Sequence, residues 1–295
     1  MYQIVSDGAC DLGLARTQEL GVEVVPFYVS MDSALYQKEI EELDIREFYQ
    51  FMVDHPKQFP KTSMPSIQDY IQVFEKIAKQ GQDIICLCIT AKFSGSYNSA
   101  NNAKMMIEEK YPDCKVAIID TTLITIDQGM MVEKAVTLKN EGCSYDETIK
   151  QLQALKETGR IFFTIGGMDY LVHGGRVGKL SGIAAGALGI KPIILLQDGE
   201  IFNAGLSRGR KKSLKKVNEE MMKYFKENQL DPNDYRFTIG YGYDQDEAFQ
   251  YKKQLEELLL KEYPDFHQSI GIGQIGATIG VHTGPYPIGV GIIKK

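Results

Sequence analysis

Asp83-Ile-Ile-Cys-Leu-Cys-Ile-Thr90, followed at once by Ala91-Lys-Phe-Ser-Gly-Ser-Tyr-Asn-Ser99, is the stretch that decides the fold. The first segment is apolar at successive positions, so both faces of the strand it forms must be covered, as they are in a parallel sheet. The second leaves that strand and enters a helix at about Gly95. Working outward, Gln3 to Val5, Val22 to Val29 and Val116 to Asp120 read as further strands, while Asp44 to Val53, Ile67 to Gln80, Asn98 to Lys110 and Ile126 to Lys139 read as helices. This alternation predicts a Rossmann-like α/β layer in the N-terminal part of the chain.

After a helix over Tyr145 to Thr158 the texture changes. A strand at Ile161 to Ile165 precedes a Gly-rich segment and then Pro192-Ile-Ile-Leu-Leu-Gln-Asp-Gly-Glu-Ile-Phe-Asn-Ala204, whose Asp198-Gly199 pair is a two-residue hairpin turn signal. Strands at Arg236 to Gly242, Ser269 to Ile272 and Ile288 to Ile293 follow, with helices at Lys211 to Glu227 and Asp246 to Lys261. Antiparallel neighbours plus helices predict a second, α+β domain. The expected division is residues 1–159 and 160–295.

A chain of 295 residues that is 43% hydrophobic can bury a substantial core. The opening residues show no secretory signal, and no apolar run approaches the roughly 20 residues needed to span a bilayer. Five cysteines scattered through apolar or helical contexts fit reduced thiols, and the expected location is cytoplasmic. Period-two spacing points Cys86 and Cys88 to one face of their strand; no second Cys or His pair completes a metal set. A net charge of −6 argues against general nucleic-acid binding. The basic run Arg208-Gly-Arg-Lys-Lys-Ser-Leu-Lys-Lys216 reads first as a solvated helix start, next as a docking surface for an acidic or phosphorylated partner, and last as a specific DNA contact.

Five segments carry hydrogen-bonding chemistry. Ser94 and Ser96 stand where a strand's carboxyl end meets a helix N-terminus, a place suited to an anion, though either could simply cap the helix. Phe59-Pro-Lys-Thr-Ser-Met-Pro-Ser-Ile-Gln-Asp69 reads as a proline-stiffened loop ahead of a helix capped by Ser66 and Asp69, which leaves Thr62 and Ser63 unassigned. Asp7, ending the first strand, could position a hydroxyl or shape the crevice, while Asp11 reads as a first-turn acid. His173 to Pro192 invites a phosphate-loop reading but fails it: Gly174 and Gly178 enclose three residues, and Leu180 stands where Ser or Thr would hold Mg²⁺. Its Gly/Ala run from Gly182 to Gly189 suits a thin-walled helix. Last, His282 heads Val281-His-Thr-Gly-Pro-Tyr-Pro-Ile-Gly289 and could point a switchable donor into a cleft.

Taken in order, Ser6-Asp7 with Cys10-Asp-Leu12, Lys61-Thr-Ser with Pro65-Ser66, Phe93-Ser-Gly-Ser-Tyr97, Ile119-Asp120, Gly174-Gly-Arg176, Arg208-Gly-Arg-Lys-Lys212 and His282-Thr-Gly-Pro285 resemble the DegV family along essentially the whole chain. The resemblance implies an N-terminal three-layer α/β/α domain with a parallel sheet and a C-terminal two-layer α/β domain with a mixed sheet. It also implies one long-chain fatty acid, such as palmitate, stearate or oleate, buried between them, and no cofactor. The family's carboxylate site falls on Thr62, Ser63 and Ser94, with Ser96 beside them. Some family members are the acyl-binding subunits of a fatty acid kinase, in which an ATP-using partner phosphorylates the bound acid for phospholipid synthesis. On that scheme Arg176, Arg208 and His282 face the partner or the phosphoryl group.

The chain departs from the family's pattern twice. Gly8 stands where a serine usually follows Ser-Asp, and Tyr286-Pro287 replaces a glycine after His-x-Gly-Pro. Physically the ligand is reasonable: about 15 buried methylenes at roughly 0.8 kcal/mol each offer on the order of 12 kcal/mol before ordering costs. Clustered hydroxyls and helix N–H groups can satisfy the carboxylate. Two other functions compete. One is an acyl hydrolase with Ser94 as nucleophile and His282 as base, weakened because a nucleophile elbow needs glycine at position 92, where Lys92 stands. The other is a lipid-sensing module acting on a partner through Arg208 to Lys216.

Overall fold

The computed structural model describes residues 1–32, 34–180 and 189–295. The elements run in the order β1 (Tyr2–Asp7), α1 (Gly13–Leu20), β2 (Glu23–Val25), β3 (Tyr28–Ser30), β4 (Gln37–Lys38), α2 (Ile45–Asp54), β5 (Lys61–Ser63), α3 (Ile67–Ala78), β6 (Asp83–Cys88), α4 (Ser96–Lys110), β7 (Val116–Asp120), α5 (Thr125–Asn140) and α6 (Tyr145–Lys156). There follow β8 (Arg160–Thr164), α7 (Asp169–His173), β9 (Ile190–Gln197), β10 (Glu200–Arg208), α8 (Arg210–Glu227), β11 (Tyr235–Tyr241), α9 (Gln245–Glu262), β12 (Ile270–Gln274), α10 (Ala277–Thr283) and β13 (Ile288–Lys294). The Gly/Ala run beginning at Gly182 lies almost wholly outside the described residues.

The fold is α/β, with a parallel four-stranded sheet of order β2-β1-β6-β7 and a mixed six-stranded sheet of order β10-β9-β8-β13-β11-β12. Alternation along β6 sorts its side chains between two cores. Ile84, Cys86 and Cys88 join Tyr70, Phe74 and Ala103 from α3 and α4, while Ile85 and Leu87 join Met130, Met131 and Leu152 from α5 and α6. Cys86 and Cys88 therefore share a face, 3.8 Å apart and unbridged. In the mixed sheet only β11 and β12 run parallel. One face packs on α8 and α9 through Phe162, Phe237, Phe225 and Leu255; the other contributes Ile161, Phe163 and Ile194 to the core around α5. Helix α5 thus touches both sheets.

Local signals act as their chemistry dictates. Ser66 and Asp69 close a reciprocal capping box at α3. Asp198 and Gly199 both take positive φ, the backbone of a tight hairpin turn matched to strand twist, and join β9 to β10. Where the chain was expected to run as one strand from Val22 to Val29 it instead breaks at Pro26, which has no N–H for a ladder. Beyond the break, β3 leaves the main sheet and pairs with β4 and β5 in a separate small sheet. Thr62 and Ser63, expected in a loop, sit on β5 opposite Val29 and Tyr28.

Candidate functional site

The carboxyl ends of the parallel strands, α4, β5, α7 and α10 surround a cavity of about 130 Å³. Its body is apolar, lined by Phe27, Ile89, Ile124, Phe163, Ile201 and Ile279. A smaller cavity of about 30 Å³ lies next to it between α5 and the mixed sheet, the two separated by Ile124, Phe163, Ile279 and Thr283, which line both. Its wall has no exposed polar surface. One side of the larger cavity is different: Thr62, Ser94, Arg176 and His282 meet there, with Met64 folded over Gly95 beside them.

Each polar group is presented by its local structure. On β5 successive side chains point to opposite faces. Thr62 consequently lines the cavity while its neighbour Ser63 is exposed and is not part of the lining. Ser94 precedes α4, whose N-cap is Gly95, and its Oγ accepts the Ser96 N–H at 3.2 Å. That bond occupies the oxygen as an acceptor and leaves the hydroxyl proton free to donate into the cavity. The expectation that Ser96 adds its own hydroxyl there is not met by the geometry: Ser96 is fully buried, donates to Asp7 Oδ2 at 2.8 Å and lies 2.6 Å from the Tyr70 hydroxyl. As the first residue of α4, two positions after Ser94, it faces the core and not the cavity that Ser94 serves.

His282 is carried by the last turn of α10, and its Nε2 lies 3.2 Å from Thr62 Oγ1. Burial, reinforced by the positive charge of Arg176, pulls its pKa down to about 4, so the ring is neutral at physiological pH. Its Nδ1 is buried without a hydrogen-bond partner among the described residues. Placing the one ring proton on Nε2 leaves a lone pair unsatisfied at Nδ1, a cheaper orphan than a buried N–H. Nε2 then donates to Thr62, and the Thr62 proton, like that of Ser94, is free. Arg176 is tied by Nε to Phe93 O at 3.2 Å and by Nη1 to Gly174 O at 2.6 Å, and no carboxylate pairs with it among the described residues. Two hydroxyl donors and a fixed cation thus converge on a place that holds no acid, which suits a carboxylate or phosphoryl oxygen.

The remaining sequence candidate is apart. Arg208 ends β10, exposed and outside the cavity lining. Among the described residues no set of three His, Cys, Asp or Glu converges as a metal site, and no helix is long and apolar enough to cross a membrane. Sequence reasoning also missed Thr278 and Ile279 of α10 as cavity residues, and the way α10 is held. Thr278 N and Oγ1 both donate to the buried carboxylate of Glu39, at 2.6 Å each. Tyr286, where the expected pattern has glycine, packs over Gly166 and is 39% exposed, so it stands at the surface beyond α10.

A family model described as "Uncharacterised protein, DegV family" matches residues 1–295. A DegV domain-containing protein of Clostridium perfringens is 31% identical over 285 residues, covering 96% of this chain and 94% of the relative. Among solved structures, a stearic acid-binding protein from Eubacterium ventriosum is 42% identical with a TM-score of 0.93, covering 100% of this chain and 99% of that one. A fatty-acid-binding DegV family protein from Thermus thermophilus is 28% identical with a TM-score of 0.85, at the same coverage.

Proposed function

This chain belongs to the DegV family, and on that premise we propose that it binds one long-chain fatty acid, clasped between an N-terminal unit, residues 1–159, and a C-terminal unit, residues 160–295. The observation that carries the reading is the polarity of the cavity: apolar in its body, with two free hydroxyl donors and an unpaired guanidinium gathered on one side. An acyl chain matches the first feature and a carboxylate the second. Thr62 and Ser94 donate to the head-group; Ser96 contributes through the N–H that orients Ser94. Ser63 is left as a rim residue.

The same geometry favours binding over hydrolysis by this chain. His282 Nε2 is engaged with Thr62 and its Nδ1 has no orienting carboxylate, so Ser94 and His282 do not form an activated pair. A partner that phosphorylates the bound acid fits the head-group better. Hydroxyls grip a carboxylate without the tight fork that Arg would impose, and Arg176 with its spare donors can share the charge on a phosphoryl group. We place the ATP-using kinase partner over the head-group side of the cavity, where Arg176 and His282 stand, with the exposed Arg208 as a separate basic contact. In the basic run, Arg210 is spent on Glu247, Lys215 on Glu219 and Lys216 on Glu220, which leaves Arg208, Lys211 and Lys212 without ion pairs among the described residues. The reading is tested by displacement of a fluorescent fatty acid analogue by palmitate, stearate and oleate. Tight displacement that weakens at least tenfold in Thr62→Ala/Ser94→Ala supports it; an inability to bind any of the three refutes it.

A further inference from the structure

Behind the head-group lies a second feature that the binding reading does not use. Three carboxyl groups, Asp7, Asp11 and Glu39, are buried in one cluster at the meeting of β1, α5 and α10. Asp7 Oδ2 accepts from Ser96 Oγ at 2.8 Å and from Ile89 N at 3.0 Å, and its Oδ1 accepts from Gln128 Nε2 at 2.7 Å. Glu39 accepts both donors of Thr278, itself a cavity residue. Asp11 Oδ1 and Glu39 Oε1 both crowd the side of Gly276 where a Cβ would stand, so these two oxygens are close neighbours and only glycine fits there. Asp7 is therefore one hydroxyl removed from Ser94's helix start, and Glu39 one side chain removed from the cavity wall.

No basic side chain pairs with any of the three among the described residues, and they do not converge on a point that could hold a metal ion. Both oxygens of Asp11 are buried, with the Thr125 hydroxyl and the Gly276 N–H beside them but neither in good hydrogen-bond geometry, and Gln128 Oε1 next to the cluster has no hydrogen-bond partner among the described residues. Three uncompensated charges at such spacing would repel strongly in a low-dielectric interior, so the cluster must retain protons. Burial raises Asp7 to about 6 and Glu39 to about 7, and burial together with Glu39 lifts Asp11 well above the ordinary carboxylate range. The other titratable groups facing the cluster, Cys10, Cys88, Tyr49 and Tyr70, are pushed upward and stay neutral near physiological pH.

We propose that head-group binding is coupled to this cluster: an acyl carboxylate entering between Thr62 and Ser94 raises the proton occupancy of Asp7, Asp11 and Glu39, so the protein takes up proton as it takes up the anion. The inference rests on the fatty-acid reading above. By linkage the coupling is reciprocal, and the ligand binds more tightly as pH falls, by about tenfold per pH unit for a full proton and proportionally less for a fraction. His282, neutral in this site, supplies no competing titration near neutrality.

The experiment is calorimetry of laurate binding at about pH 7 in buffers of different ionisation enthalpy, with affinities compared at about pH 6.5 and 8.5, where the free acid is ionised. Net proton uptake is expected, with tighter binding at the lower pH. Asp7→Asn and Glu39→Gln, each isosteric and tested separately so that one misfolded variant does not end the test, are expected to take up less proton and to bind more tightly than wild type at the higher pH. Binding with no proton uptake in wild type, or uptake unchanged in both variants, would overturn the coupling and leave the binding function standing. Laurate, palmitate and oleate all failing to bind would overturn both.

Discussion

Thr62 Oγ1 and His282 Nε2 are 3.2 Å apart although 220 positions separate them in sequence. That bond ties the edge strand β5 to the end of α10 across the mouth of the cavity, joining an early segment of the chain to one near its C-terminus. It also fixes which proton Thr62 can give away. A head-group site built this way depends on long-range packing, and its parts separate experimentally into those that touch ligand and those that hold the wall.

Ser94 and Ser96 give the sharpest such separation. Ser94→Ala removes a free donor from the cavity and is expected to weaken fatty acid binding by about 1–3 kcal/mol, with a folding cost of about 1 kcal/mol or less from the Ser96 N–H it leaves without an acceptor. Ser96→Ala strips Asp7 Oδ2 and the Tyr70 hydroxyl of a shared partner in the core. Its expected effect is a loss of about 1–3 kcal/mol of folding stability, read by denaturant titration of the ligand-free protein.

His282 predicts an acid-side loss of stability. Its native pKa of about 4 lies below the unfolded value of 6.5, so between these pH values the unfolded chain binds the proton and the folded chain does not. Stability contributed by the neutral ring is complete above about pH 6.5 and declines as pH falls through about 4. His282→Gln keeps an N–H for Thr62 and should flatten that part of the profile. An NMR titration that placed the wild-type imidazole near its ordinary value would show the ring to be hydrated rather than buried.

Two glycines should respond differently to the same change. A Cβ at Gly95 would meet the flexible thioether of Met64 at 2.5 Å, so Gly95→Ala is expected to swing Met64 aside, cost about 1 kcal/mol and alter ligand exchange at the mouth. At Gly289, on β13 and in the wall of the smaller cavity, a Cβ would run into the Phe162 carbonyl and the Phe163 backbone. Neither can give without breaking the β8–β13 ladder, and Gly289→Ala should cost about 3 kcal/mol or fail to fold.

Much of this architecture was legible because it is local. The two-faced apolar β6, the Ser66–Asp69 cap and the Asp198-Gly199 turn are decided by residues within a few positions of one another. Pro26 carried a warning that a single strand from Val22 to Val29 was too long. Helix α10 was not legible: Ala-Thr-Ile-Gly-Val-His-Thr is poor in helix formers and begins without a side-chain cap of its own. Glu39, remote in sequence, supplies that cap. The separation of Thr62 from Ser63 needed the knowledge that β5 is a strand, and the withdrawal of Ser96 into the core needed the position of Asp7. Both are tertiary facts.

The central claim is that the cavity holds a fatty acid by its carboxylate, and native mass spectrometry of the purified protein, followed by organic extraction, tests it most directly. One co-purifying long-chain fatty acid per chain is expected, as is its loss in Thr62→Ala/Ser94→Ala. A protein that arrives empty and takes up neither palmitate nor oleate when they are added would contradict it.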